Sequence, residues 1–141
     1  MRIVGLHHVT LPCTDLERSR RFYRDAIGLA ELDRPPFPVP GHWFAVGPSQ
    51  LHLFHYPGGT FRASETIDTR DAHIAIAVRD LEEAIAALAA LGYSDELPAE
   101  DSHHLRRGSG VARFPQVFVK DPDGHIVELN APADFIERVR P

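Results

Sequence analysis

Hydrophobic and polar positions alternate with period two over residues 3–11 and again over 72–78, in runs rich in β-branched side chains, so each predicts a half-buried strand. Both runs are followed by the same change of period. Asp15 and Asp80 stand as N-caps. After them Leu16, Phe22, Tyr23 and Ile27, then Leu81, Ile85, Leu88 and Leu91, recur near helical spacing over 16–27 and 81–91. Gly28 and Gly92 stop the two helices, and strand patterns return over 42–47 and 50–56, then over 113–120 and 125–130. Four prolines between Arg34 and Gly41 remove ladder donors and predict an irregular loop, of the kind that often edges a site. Asp121-Pro122-Asp123-Gly124 predicts a turn between two strands. Residues 133–141 suit either a short amphipathic helix or a frayed end.

The pattern repeats. Leu6-His7-His8-Val9-Thr10-Leu11 with Asp15-Leu16-Glu17 recurs as Asp71-Ala72-His73-Ile74-Ala75-Ile76 with Asp80-Leu81-Glu82, at a constant offset of 65 (73 − 8, 80 − 15 and 82 − 17). Each half reads as βαβββ, giving an α+β chain with one module at about 1–57, a polar connection at 58–70, a second module at about 71–132 and a tail at 133–141. At 141 residues the default is one domain spanning 1–141.

Composition narrows the class. With 43% hydrophobic and 25% charged residues the chain is of ordinary globular type, and no apolar stretch is long enough to span a bilayer. The start, Met1-Arg2-Ile3-Val4-Gly5, lacks the apolar core of a secretory signal, so a cytoplasmic location is expected. A net charge of -5 with scattered basic residues offers no field for phosphate backbones, so nucleic acid is not expected as a partner. Arg106-Arg107 read first as part of a solvated loop that could still touch an anionic substrate. The single cysteine, Cys13, excludes an internal disulfide and reads as a packing residue.

Strand alternation selects the chemistry. His8 shares a face with Leu6 and Thr10, opposite Val9 and Leu11, and His73 shares one with Ala75 and Ala77, opposite Ile74, Ile76 and Val78. In the closing strands His52 lies with Gln50 and Phe54, and Glu128 with Ile126 and Asn130. If the two modules pair about a pseudo-twofold axis, these four side chains can converge on one divalent metal, Zn, Ni, Co, Fe or Mn, and use of only two histidines and the glutamate would leave positions open to substrate. A lone histidine on a strand is more often hydrogen-bonded filler, so the metal reading rests on His8, His73 and Glu128 occupying matched points of a repeat. His52 joins through the weaker second part of that repeat. His7 and His55 point to the opposite face, while His42, His103, His104 and His125 lie near loops or strand ends. Gln116 and Arg113 enter the penultimate strand, where a sheet-facing or solvated role is expected ahead of substrate contact.

The quoted motifs, with Phe22-Tyr23, Gly28-Leu29 and the run from Lys120 to Leu129, resemble those of the vicinal oxygen chelate superfamily, which includes glyoxalases, bleomycin-resistance proteins and extradiol dioxygenases. The resemblance covers nearly the whole chain. It implies two βαβββ modules forming a half-open curved barrel around one metal, often in a homodimer whose modules pair within or between chains. It implies a small oxygen-bearing substrate, metal ligands His8, His52, His73 and Glu128, and Glu128 as the group that moves a proton. The glyoxalase I pattern places a carboxylate where His52 stands, a departure from that enzyme. Thiol transferases and extradiol dioxygenases use two histidines and one glutamate, which His8, His73 and Glu128 reproduce. Three activities therefore remain open: a glyoxalase-like lyase, isomerase or transferase, an extradiol dioxygenase acting on a catechol, and a metal-free ligand-sequestering module of bleomycin-resistance type.

Overall fold

The structure is a computed structural model and describes residues 1–59, 62, 64–108, 110 and 113–138. The chain divides into two compact units, Met1–Thr60 and Phe61–Pro141, each carrying one βαβββ module. In the first unit β1 (His8–Cys13) leads into α1 (Leu16–Arg21), a π-helical turn over Phe22–Ala26, β2 (Glu31–Leu32), β3 (Gly41–Val46) and β4 (Ser49–His55). In the second, β5 (His73–Ala77) leads into α2 (Leu81–Ala90), β6 (Arg106–Arg107), β7 (Gln116–Lys120), β8 (Ile126–Asn130) and α3 (Ala133–Arg138).

Both sheets have one topology. Their orders are β1-β4-β3-β2 and β5-β8-β7-β6, with the first strand parallel to the last and the other neighbours antiparallel. The α+β class and paired modules are as expected, and neither sheet is closed on itself. Among the described residues no helix is long and apolar enough to cross a membrane.

Local chemistry accounts for the element ends. Asp15 accepts from the Arg18 amide, and Asp80 from those of Glu82 and Glu83, satisfying donors that a helix start leaves unpaired. Gly28 and Gly92 adopt positive φ of 78° and 92°, a left-handed conformation that stops each helix at little steric cost. The first helix departs from the expected regular run in its last turn, where the Ile27 amide reaches back to the Phe22 carbonyl. That wider turn accompanies full burial of Tyr23, at 0% exposure, beside Phe22 and Phe44. Leu91, expected on the buried face of α2, stands exposed as its C-cap, while Leu81 and Leu88 are buried.

Three boundaries move. The first strand starts at His8, not residue 3, and Met1, Ile3, Val4 and Leu6 are exposed. The stretch expected as a free connection is partly built into the second unit. There Ile67 is buried with Phe118 and Ile126, the Arg106 guanidinium donates to the Ile67 carbonyl, and buried Lys120 donates to the carbonyls of Glu65 and Glu100. The tail forms α3, and 139–141, which the expectation also covered, lie outside the described residues.

A surface network ties α1 to the short β2. Arg20 donates through Nε and Nη2 to Glu31, and His42 Nδ1 lies 2.6 Å from Glu31 Oε1. The Arg20 hydrogen bond holds the Glu31 carboxyl below its usual value of 4.5, with burial opposing it and a weaker contribution from His42 adding to it. A depressed carboxylate stabilises the fold above its unfolded-state pKa, and this contribution is lost as pH falls through the folded-state value. Glu31→Gln should therefore lower the melting temperature at neutral pH by an amount corresponding to at most about 1 kcal/mol. The gap to the parent should narrow as pH falls below the ordinary carboxylate range, as followed by circular dichroism.

Candidate metal-ligand pairs

The first unit brings His8 and His52 together. In register, Thr10 of β1 faces His52 of β4, so His8, two residues before Thr10, lies on the same face as His52. Their rings stack at 4.3 Å between centroids and 11° between planes, and the other face of His52 stacks on Trp43 at 4.2 Å and 6°. His52 is buried, whereas His8 is exposed. Burial first, then the positive charges available at His8, His7 and Arg34, lowers the His52 pKa below its usual 6.5. A neutral imidazole keeps the lone pair that a metal needs. Its Nε2 lies 2.8 Å from the Gln50 side-chain oxygen and donates to it in this arrangement.

Strand alternation predicts His7 on the opposite face. Because it precedes the strand, alternation does not govern it, and its Nδ1 lies 2.8 Å from His8 Nδ1. With His8 as donor in that bond, His8 Nε2 carries the lone pair, so His7 can set the tautomer of its neighbour.

The second unit brings His73 and Glu128 together. Ala75 of β5 faces Glu128 of β8, the counterpart of the Thr10–His52 pairing. His73 Nε2 is 3.2 Å from Glu128 Oε2, while His73 Nδ1 donates to the Asp71 carbonyl at 2.7 Å. The Nδ1 bond places the neutral ring's lone pair on Nε2, so two acceptors face each other. Either a proton or a cation must lie between them, and 3.2 Å is close to the spacing of neighbouring ligands on about 2.1 Å bonds. Glu128 Oε1 accepts from Gln116 Nε2 at 2.8 Å and from Asn130 Nδ2 at 2.6 Å. These donors turn Oε2 toward His73. Alternation predicts Asn130 on the Glu128 face but gives neither it nor Gln116 this role. Arg113 is exposed ahead of β7.

The geometry thus contains two donor pairs, and among the described residues no cluster of three or more His, Cys, Asp or Glu side chains forms. Each pair suits a divalent cation by donor type: imidazole with imidazole, and imidazole with an anchored carboxylate. Cys13 is buried, with its thiol near the Leu11 carbonyl, as a packing residue should be. His55 is exposed, and His103 and His104 bond to Ser102 and to the Leu97 carbonyl.

The family model described as the Glyoxalase/Bleomycin resistance protein/Dioxygenase superfamily matches residues 5–129. The chain is 25% identical over 131 residues to the protein named Glyoxylase I 4 of Arabidopsis thaliana, covering 92% of this chain and 71% of that one. Its fold is similar to that of a glyoxalase family protein from Bacillus anthracis, with a TM-score of 0.73 at 22% identity over 93% of this chain and 97% of the other. It is also similar to the fosfomycin resistance protein FosX of Listeria monocytogenes, with a TM-score of 0.69 at 19% identity over 94% and 96% of the two chains.

Proposed function

We propose, from the premise that the chain belongs to the Glyoxalase/Bleomycin resistance protein/Dioxygenase superfamily, that it is a glyoxalase-like enzyme in which His8, His52, His73 and Glu128 hold one divalent metal against a small oxygen-bearing substrate. The observation that carries this reading is the match between donor pairs: His52 stands opposite Thr10, and Glu128 opposite Ala75, at equivalent points of the two modules. A module pairing within one chain or within a homodimer would complete the set.

The metal, when bound, supplies positive charge that polarises a substrate oxygen. The chain's own groups do the rest. Gln116 and Asn130 hold Oε1 of Glu128, so Oε2 is the oxygen that takes up a proton from the substrate and returns it elsewhere on the same molecule. The Asp71 carbonyl fixes the ring of His73, and the Trp43 stack fixes that of His52, so neither imidazole must be reoriented during the reaction. Proton transfer of this kind is lyase or isomerase chemistry.

One observation favours a second reading. His52 is stacked on Trp43 and His8 and bonded to Gln50, and if that role is one of packing, His8, His73 and Glu128 form a set of two histidines and one carboxylate, the arrangement suited to Fe²⁺ and an extradiol dioxygenase. Elemental analysis of untagged protein should find about one metal per site in the parent and a large loss in His8→Ala. Turnover of an α-ketoaldehyde hemithioacetal under nitrogen, set against oxygen uptake with a catechol and Fe²⁺, separates the two chemistries. A protein that takes up none of Zn²⁺, Ni²⁺, Co²⁺, Mn²⁺ or anaerobic Fe²⁺ would instead be a ligand-sequestering module.

A further inference from the structure

The loop between β2 and β3 carries a cation, Arg34, that meets no counter-charge among the described residues. The Arg34 guanidinium lies 5.1 Å from the centroid of Phe37 and 5.3 Å from that of Phe54, and its Nη2 donates to the Val39 carbonyl. Among the described residues its buried Nε meets no acceptor. No Asp or Glu among the described residues forms an ion pair with it. Room for this placement comes from Gly41: a Cβ there would lie 3.3 Å from Arg34 Nε and collide with the Leu53 carbonyl oxygen.

The surroundings of Arg34 connect it to His52. Phe37 meets Trp43 at 5.8 Å between centroids, Trp43 stacks on His52, and Phe54 stands edge-on to His52 at 6.5 Å. Trp43 Nε1 is a second buried donor that meets no acceptor among the described residues. Pro35, Pro36, Pro38 and Pro40 restrict the backbone around Arg34, so the guanidinium is held in place at reduced entropic cost. A part-buried cation with no ion-pair partner among the described residues is costly to a fold. A ligand anion would offset that cost, and the planar guanidinium matches a carboxylate in shape.

We propose that Arg34 anchors a carboxylate of the substrate, making the molecule processed beside His52 a small organic-acid anion. This rests on the reading of His52 as part of the reaction site, but binding of the anion itself does not require the metal.

Trp43 is the only tryptophan, so intrinsic fluorescence reports on this cluster directly. Metal-free full-length protein is titrated with sodium lactate and, separately, with uncharged lactamide, at ionic strength held constant with sodium chloride. A saturable change with lactate and none with lactamide over the same range is the expected result. Arg34→Gln should weaken lactate binding by about tenfold or more, with Arg34→Lys intermediate, both judged on variants with the parent's circular dichroism spectrum. Equal responses to lactate and lactamide, an equal response to sodium sulfate, or parent-like lactate binding in Arg34→Gln would each overturn the proposal. If Arg34→Gln does not fold, the lactate and lactamide comparison in the unaltered protein and the Arg34→Lys variant decide it. Because metal is absent throughout, failure here is distinct from failure of the metal-site reading.

Discussion

Glu128→Ala is expected to lower divalent-metal affinity by at least about a hundredfold, measured by competition with a chromogenic zinc indicator on untagged protein. Two losses combine. The variant removes the only carboxylate in the proposed donor set, and it leaves Gln116 Nε2 and the buried Asn130 amide without the acceptor they share. Gln116→Leu separates these effects, because the carboxylate stays while one of its two anchors goes. A loss of about ten- to a hundredfold is expected there, the range typical for groups that orient a ligand without touching the metal. Unaltered zinc affinity in Glu128→Ala would remove Glu128 from the donor set and, with it, the proton-transfer role of Oε2.

The second large effect concerns the core beside that carboxylate, on the same face of the sheet. Phe118 is 2% exposed, packs with Ile67 and Ile126, faces Glu128 across β7 and β8, and meets the His73 ring edge-on at 5.8 Å. Phe118→Ala should cost about 3–5 kcal/mol through lost burial and the cavity left behind. Domains of ordinary stability hold only about 5–15 kcal/mol in total, so the urea midpoint should fall steeply at nearly constant slope. Leu91→Ala is the control, since 47% of Leu91 is already exposed and its midpoint should barely move. Similar midpoints for the two variants would contradict the core assignment of Phe118.

Most of the fold was legible because its signals are local and duplicated. Alternation around His8 and His73, caps at Asp15 and Asp80, and stops at Gly28 and Gly92 each depend on a few adjacent residues. The two-residue strands Glu31–Leu32 and Arg106–Arg107 were not legible, since two positions cannot display a period and only pairing to β3 and β7 defines them. The π turn after Arg21 was hidden for a different reason: it answers tertiary packing of Tyr23, which no spacing rule reports.

The candidate site divides along the same line. Side chains on a strand face could be assigned from parity, and the pairs His8 with His52 and His73 with Glu128 follow that parity. Their supporting groups could not. Gln116 lies twelve residues from Glu128 in sequence and reaches it only through the β7–β8 pairing, while His7 escapes parity because the strand has not yet begun. Arg34 was read as part of a proline-rich loop, and its cation became conspicuous only once the rings of Phe37 and Phe54 were found on it.

The two modules also carry a record of how the chain was assembled. Thr10 and Ala75 are 65 positions apart, but their strand partners His52 and Glu128 are 76 apart, so the second copy holds 11 more residues between equivalent points. That extra length falls among loops and the short strand before β7, and the pairing that positions each ligand candidate is the same in both copies. After a duplication, such a chain can gain or lose length between α2 and β7 and acquire new surface there without moving the donors. A single-residue insertion inside β8, by contrast, would turn the positions beyond it to the opposite face and remove Glu128 from His73. Changes of length between α2 and β7 therefore leave the strand register that places Glu128 beside His73 intact.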